Sequence, residues 1–445
     1  MNEFEGILAL REAIKSGVLA PQTAIEASFD RAHASQARLK AFTYLPPTLS
    51  LADSACDPDA PLAGIAVAVK DLIDTADMPT SYGSPIYQGH QPTADAWIVQ
   101  RLRQLGAHVL GKSVTTEFAW RHPGPTVNPW HPQHTPGGSS SGSAAAVAAG
   151  IVPLAIGTQT LGSVIRPAAF CGVVGFKPTY GAIARTGVCA LSASLDHIGL
   201  FTRNVNDAIY AIRLLTGVSA EDTHGQPFTP FQIEDIRYPL ATPPTIALLA
   251  SNQLGEIDAA QVQVLQETAE KLRANGATVR ELALPAVFNE AAALTASIAA
   301  ADAAQHHAHH LDNFGPMLSP SMTELIEQGR AMSPAEIAAL AERRQDLRQR
   351  YAQWLQENQI DALLLPPAQG EAPADLNYTG DARFCSPFTL AGLPAITLPA
   401  GFSPNGLPLG IQLVGASGQD LALLRVARWC EQGIAHPSAI ADKWQ

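Results

Sequence analysis

Between Leu62 and Lys70 the chain runs Ala63-Gly-Ile-Ala-Val-Ala-Val69 without a single polar side chain. A run so short and so uniformly apolar predicts a strand buried on both faces, because a strand with one wet face would alternate. Such a strand needs helices packed above and below its sheet. The rest of the chain agrees with that layering. Apolar positions recur at helical spacing through Ile7, Leu8, Leu10 and Ile14, and Pro21 stands where a second helix would begin. A helix is expected over Asp95–Leu105, a strand over Ala107–Leu110, and a loop over 121–136, where five prolines fall. Asp207–Leu215 has helical spacing and Thr245–Ala250 reads as a strand. A long helical section is expected from about 259 to 358, with a capping box in Ser333-Pro-Ala-Glu336. Strands return at Ala362–Leu365, Ala395–Leu398 and Gly410–Val414, before a closing helix near Leu421–Glu431. Interleaved strands and helices predict an α/β chain in three layers.

Composition narrows the class of function. Hydrophobic residues make up 47% and charged residues 15%, the balance of a packed enzyme rather than a disordered chain. A net charge of −12 argues against direct nucleic-acid binding, which needs clustered Lys and Arg. The acids are scattered, so they do not demand a cationic partner. The five cysteines are widely spaced and form no C-x-x-C pair, which suits free thiols in the cytoplasm. The N-terminal residues are acidic and lack the pattern of a signal peptide. The longest apolar stretch, Ala144–Ile156, is broken by Gly150 and Pro153 and is too short to span a membrane.

The densest unusual segment is Gly137-Gly-Ser-Ser-Ser-Gly-Ser143, ahead of an alanine-rich run. Read alone it is a Gly/Ser loop capping a helix. It also contains G-x-S-x-G from Gly138 to Gly142, which would make Ser140 a nucleophile, but the Asp and His such an elbow requires have no recognisable setting. A third reading takes in more of the chain. Ser163 follows Ser139 by 24 positions, inside Gly157-Thr-Gln-Thr-Leu-Gly-Ser-Val-Ile-Arg-Pro167, and Lys70 lies upstream in Ala68-Val-Lys-Asp-Leu72. With Glu117-Phe-Ala119, Gly175-Phe-Lys-Pro-Thr179, Ser194-Leu-Asp-His-Ile-Gly199, Gly392-Leu-Pro-Ala395 and Leu409-Gly-Ile-Gln-Leu-Val-Gly415 in order, the chain resembles the amidase signature family.

That resemblance implies an α/β/α fold around a large mixed, mostly parallel sheet, and cleavage of carbon–nitrogen bonds without a cofactor or metal. Ser163 would be the nucleophile, and Ser139, following Gly138 through a cis peptide, would bridge it to a neutral Lys70. The backbone N–H groups of Thr160, Leu161, Gly162 and Ser163 would hold the oxyanion, with Ser140 in support. One domain over 1–445 is expected: a helical part to residue 60, a signature core over 61–215, a variable and largely helical substrate side over 216–360, and sheet-completing elements over 361–445. The residue types suit the task. An amide carbonyl is a poor electrophile, so a serine needs a base and the oxyanion needs donors. A free lysine, with pKa of about 10.4, is a cation and no base. Burial beside Ile65, Val67 and Val69 would disfavour its charge. A serine hydroxyl accepts and donates at once, so Ser139 can pass a proton.

Three departures lie beside Ser163. The family usually has Asp at the position of Gln159 and Gly at that of Leu161, and Arg166 is displaced by one place. Gln159 with the displaced arginine resembles the malonamidase branch, which implies that Arg166 holds a substrate carboxylate through its paired donors. The expected substrate is then a small amide with a free carboxylate, malonamate-like or a carboxylated urea. Loss of an acid at position 159 agrees with an anion, and Leu161 would narrow the pocket while straining a turn where glycine is usual. Broader amides, carbamates or esters stay open. So does a glutamine-hydrolysing subunit of an amidotransferase acting on charged transfer RNA, which would need a partner. A homodimer or a small partner subunit fits either reading. His306 and His310 share a helical spacing, but without H-E-x-x-H they read as a solvated or pocket-lining face. His122, His131 and His134, in the proline-rich loop, could line the substrate entrance, but they read rather as ordinary loop residues.

Overall fold

The computed structural model describes residues 6–225, 240, 242–250 and 252–434. Its organising element is one sheet of eleven strands. In chain order these are β1 (Phe42–Tyr44), β2 (Ala66–Lys70), β3 (His108–Ser113), β4 (Leu154–Gln159), β5 (Val174–Lys177), β6 (His197–Thr202), β7 (Thr245–Leu249), β8 (Thr278–Leu282), β9 (Ala362–Leu365), β10 (Ala395–Phe402) and β11 (Pro408–Val414). Their spatial order is β1-β3-β2-β4-β6-β5-β10-β11-β9-β7-β8.

The sheet is mixed, as expected, but it is not mostly parallel. Parallel pairing is confined to β3-β2-β4 and β9-β7-β8. Every other junction is antiparallel. The physical reason lies in the connections. Helix Trp97–Gln104 carries the chain from β2 to β3, helix Ser141–Ala148 from β3 to β4, and helix Ala259–Ala274 from β7 to β8. Such crossovers return a strand in the same direction, whereas a connection as short as that between β10 and β11 can only reverse it. A second correction concerns the stretch read as continuously helical from about 259 to 358, which contains β8 at the sheet's edge. Its helices Ala291–Phe314, Pro320–Arg330 and Pro334–Asn358 are as expected, and Ser333 and Glu336 form the capping box.

β2 explains why the layers lie where they do. All five of its residues are buried. Val67 and Val69 point into one apolar cluster with Ile98, Leu102 and Ile212. Ala66 and Ala68 point the other way, toward Ala144, Ala145 and Ala148. The pleat of a strand sends alternate side chains to opposite faces, so the run carries large residues on one face and small ones on the other. The small face lets helix Ser141–Ala148 lie close to the sheet with all eight residues buried. A Cβ on Gly142 would sit 2.0 Å from the Ala41 carbonyl oxygen and 2.4 Å from the Val114 nitrogen. Alanine is the better helix former by about 1 kcal/mol, but overpacking against backbone costs about 1–3 kcal/mol or more. Gly142→Ala is therefore expected to lower the urea midpoint of unfolding. A higher midpoint would show that the helix can move off the sheet.

Candidate active site

Three elements meet at Lys70. It ends β2 with its side chain wholly buried. Thr158 comes from β4, paired beside β2, and Ser139 comes from the turn before helix Ser141–Ala148. The amine donates to Ser139 Oγ at 2.7 Å and to Thr158 Oγ1 at 2.7 Å. Burial holds the Lys70 amine far below the ordinary lysine range, and the Asp196 charge pulls more weakly the other way. Among the described residues two other lysines are fully buried, in different settings. Lys112 donates to the Ile73 carbonyl and to the Thr75 and Thr80 hydroxyls, and it faces the Asp71 carboxylate at 3.7 Å. Lys177 donates to the carbonyls of Pro178 and Leu393. Lys70 has no bonded carboxylate among the described residues; beside a longer contact to the Thr158 carbonyl at 3.4 Å, its two short partners are hydroxyls, which can also donate to a neutral amine.

The peptide between Gly138 and Ser139 is cis. Ser139 and Ser163 line one cavity of about 450 Å³. Among the described residues no hydrogen bond joins their hydroxyls, so the Lys70–Ser139 contact is the part of the expected relay already closed. Ser140 is not an elbow nucleophile. It is wholly buried, donates to the Thr158 carbonyl at 3.1 Å and accepts from the Thr158 N–H at 3.3 Å, tying the serine turn to β4.

The loop from Thr160 to Ser163 is held from behind. Gln159 Oε1 accepts from the Val164 and Ile165 N–H groups at 2.8 and 3.0 Å, while its Nε2 donates to Thr389 Oγ1 at 2.8 Å. Thr389 Oγ1 in turn donates to the Leu161 carbonyl at 2.8 Å. Gln159 is thus a support for the loop and for the start of helix Ile165–Cys171, not a wall of the cavity. Thr160 Oγ1 donates to Asp196 Oδ1 at 2.6 Å, and Asp196 Oδ2 accepts from the N–H groups of Leu191 and Ser192. Gly162 is confined by Cys385, whose Cβ would lie 3.0 Å from an added Cβ. Leu161 lines the cavity as expected, but it is absent from the residues with positive φ, so the strain expected there is not present. Among the described residues, no backbone hydrogen bond uses the N–H of Leu161, Gly162 or Ser163. Donors left free on a rigid turn are what a developing oxyanion requires.

Arg166 also lines the cavity and is 5% exposed. Its Nη2 donates to the Gly138 carbonyl at 2.8 Å, and its buried Nε has no hydrogen-bond partner among the described residues. Arg121, Asp381 and Arg383 complete the charged lining. Arg383 is paired with Asp381 and Arg121 stands 4.9 Å from the centre of the Trp120 ring, which leaves the cavity net positive.

Sequence reasoning missed Asp196, Thr158 and Thr389. Asp196 sits in the quoted Ser194–Gly199 block, and an acid beside Leu195 and Ile198 was a signal for a buried, bonded carboxylate. The histidine reading needs correcting. The buried pair is His307 and His310, bonded to the Ala190 carbonyl and the Tyr87 hydroxyl and packed on Phe118. Burial pushes them down to about 3 and about 4, so both are neutral packing groups. His122, His131 and His134 do not line the cavity.

Fold and sequence together define the class: an amide-cleaving enzyme, with a buried lysine bonded to a serine at its candidate site. The family model described as Amidase matches residues 23–424, and the chain belongs to that family of amide-cleaving enzymes. It is 34% identical over 458 residues to one subunit of the glutamyl-tRNA(Gln) amidotransferase of Thermus thermophilus, covering 96% of each chain. Among solved structures, 6-aminohexanoate cyclic dimer hydrolase with its substrate superposes with a TM-score of 0.87 at 26% identity, over 99% of this chain and 100% of that one. Peptide amidase from Stenotrophomonas maltophilia gives 0.82 at 29% identity, over 99% of both. No described helix is long and apolar enough to cross a membrane.

Asp196→Asn would set an amide N–H₂ against donors that now share a carboxylate. It is expected to lower kcat by about ten- to a hundredfold, with KM within about twofold. An unchanged kcat would mean that Thr160 is positioned by other contacts.

Proposed function

We propose that the chain hydrolyses a small amide bearing a free carboxylate, with Ser163 as nucleophile, Ser139 as proton relay and Lys70 as base. The observation that carries this reading is the buried Lys70 amine bonded to the Ser139 hydroxyl beside Ser163, in a cavity whose free charge is positive. Ser163 Oγ attacks the carbonyl carbon while its proton passes to Ser139 Oγ, which releases its own to Lys70 Nζ. The N–H groups of Thr160 to Ser163 receive the oxyanion. Collapse returns the proton through Ser139 to the leaving nitrogen and leaves an ester on Ser163. Water then attacks the ester by the same relay, releasing the acid.

Arg166 suits the substrate's carboxylate, since an unpartnered guanidinium N–H in a buried wall gains most from an acceptor. Gln159 adds only that no acid stands there. A second reading is favoured by the Thermus relative: release of ammonia from glutamine as one subunit of a larger assembly. A homodimer or small partner subunit suits both readings.

Purified chain and its Ser163→Ala variant should be assayed for ammonia release from malonamate, malonamide and glutamine. Release confined to the wild type is expected, with malonamate preferred over malonamide. Equal background from both proteins would overturn the nucleophile assignment. Glutamine cleavage that needs an added partner would favour the second reading.

Because Arg166 also holds the Gly138 carbonyl, Arg166→Ala will slow every substrate, so the ratio is the informative quantity. The preference in kcat/KM for malonamate over malonamide should fall by about tenfold or more; a preserved ratio would sink the carboxylate role. The pH profile has a definite sign. Only neutral Lys70 can accept a proton, and burial depresses its pKa, so activity is present above that value and lost as pH falls through it. An acid limb in kcat that stays put in Asp196→Asn would argue against Lys70, since removing that charge should move the limb further toward acid.

A further inference from the structure

Helix Ala291–Phe314 separates two cavities. Ala292 and Ala296 face the candidate active site, whereas Ile298, Ala301 and Asp302 line a second cavity of about 530 Å³. Its far wall is helix Pro334–Asn358, from which Arg344 and Arg348 enter one turn apart. Like charges at this spacing repel, so a guanidinium pair normally finds a counter-charge. Arg348 has no hydrogen bond or ion pair among the described residues. Arg344 donates from Nε to the Leu390 carbonyl at 2.8 Å and lies 5.2 Å from the centre of the Tyr180 ring, but its buried Nη2 is unpartnered. Among the described residues that line the cavity the one acid is Asp302; its charge acts on Arg344, but its hydrogen bonds go elsewhere, accepting from Ser192 Oγ at 2.5 Å and from the Ser194 N–H at 3.0 Å. Ile298, Ile337 and Leu340 supply an apolar side to the same space.

We propose that this cavity binds a small molecule carrying a carboxylate or phosphate group on an apolar skeleton, held by Arg344 and Arg348, and that its occupancy is felt at the Thr160–Ser163 loop. Two routes lead there. Asp302 holds Ser192 and Ser194, and the Ser192 N–H bonds Asp196, which holds Thr160. Arg344 and Arg185 both stack on Tyr180, whose hydroxyl donates to the Ala193 carbonyl in the same 191–196 loop. An oxyanion drawing Arg344 and Arg348 together acts on the second route through Tyr180, and on the first through the charge that Arg344 and Asp302 share. The transmission rests on the oxyanion role proposed for Thr160; the binding does not.

The test is calorimetric titration of the full chain with inorganic phosphate and, separately, succinate, at ionic strength held constant with chloride. It should be run in an Arg166→Ala background, which removes the anion contact proposed for the active site. Arg348→Ala breaks no hydrogen bond or ion pair among the described residues, and a melting curve checks that the fold is kept. Saturable binding of one anion is expected, weakened about tenfold or more by Arg348→Ala. The anion that shows the Arg348-dependent heat identifies the group recognised. Identical isotherms with and without Arg348, for both anions, would overturn the site. In the otherwise wild-type enzyme, the bound anion should change kcat for amide hydrolysis, and Arg348→Ala should abolish that change. Arg348-dependent binding with no effect on kcat would overturn the transmission alone. Failure to cleave any amide would defeat the proposed function while leaving the binding result readable.

Discussion

A lysine amine kept out of water at the end of a strand is the constraint around which this site is assembled. Removing its charge from solvent is unfavourable, so the neutral form gains, provided the nitrogen still has partners. Ser139 and Thr158 provide them without demanding a cation in return. That arrangement needs β2 in the interior, β4 beside it to bring Thr158, and a helix close enough to the sheet to end its approach turn at Ser139. Each condition depends on small residues: Ala66 and Ala68 on the strand, and Gly142 on the helix. Were that face of β2 as large as the other, the helix would stand off and Ser139 would leave hydrogen-bonding reach.

The loop carrying Ser163 depends on a second set of buried polar groups. Gln159, Thr389 and Asp196 satisfy its backbone and side-chain groups from below, and all are almost wholly buried. Buried donors and acceptors are costly to leave unpaired, which makes such a loop rigid in one arrangement. Rigidity suits the oxyanion role proposed for the loop, since the donors would then need no rearrangement when charge develops. It also makes the loop responsive to whatever moves its supports, and the 191–196 segment is the support shared with the second cavity.

Much of this was legible in the chain, for identifiable reasons. The apolar run ending at Lys70 points to a buried strand because it is too short for a helix and carries β-branched Ile65, Val67 and Val69; the strand itself is Ala66–Lys70. The Ser333–Glu336 cap and Pro21 could be placed because their effects are local. Other features were not local. The edge strand β8 alternates weakly and lies within helical surroundings. His307, not His306, faces inward because helix Ala291–Phe314 packs on Phe118, a residue nearly two hundred positions earlier. Leu161 raised an expectation of strain that a negative φ removes.

By itself, then, the sequence determined the layered α/β class, the buried setting of Lys70 and the family, since periodicity and ordered motifs are properties of the chain read along its length. The tertiary structure alone decided which serines share a cavity, that Gln159 is a prop, that Arg166 has an unpartnered buried N–H, and that Asp302 is joined through Ser192 to Asp196 and Thr160. Those facts depend on distances between residues far apart in sequence, set by how helices pack on the two faces of the sheet. The mixed direction of the strands belongs with them. Strand direction follows from the length and course of each connection, and composition carries no record of where a chain turns back.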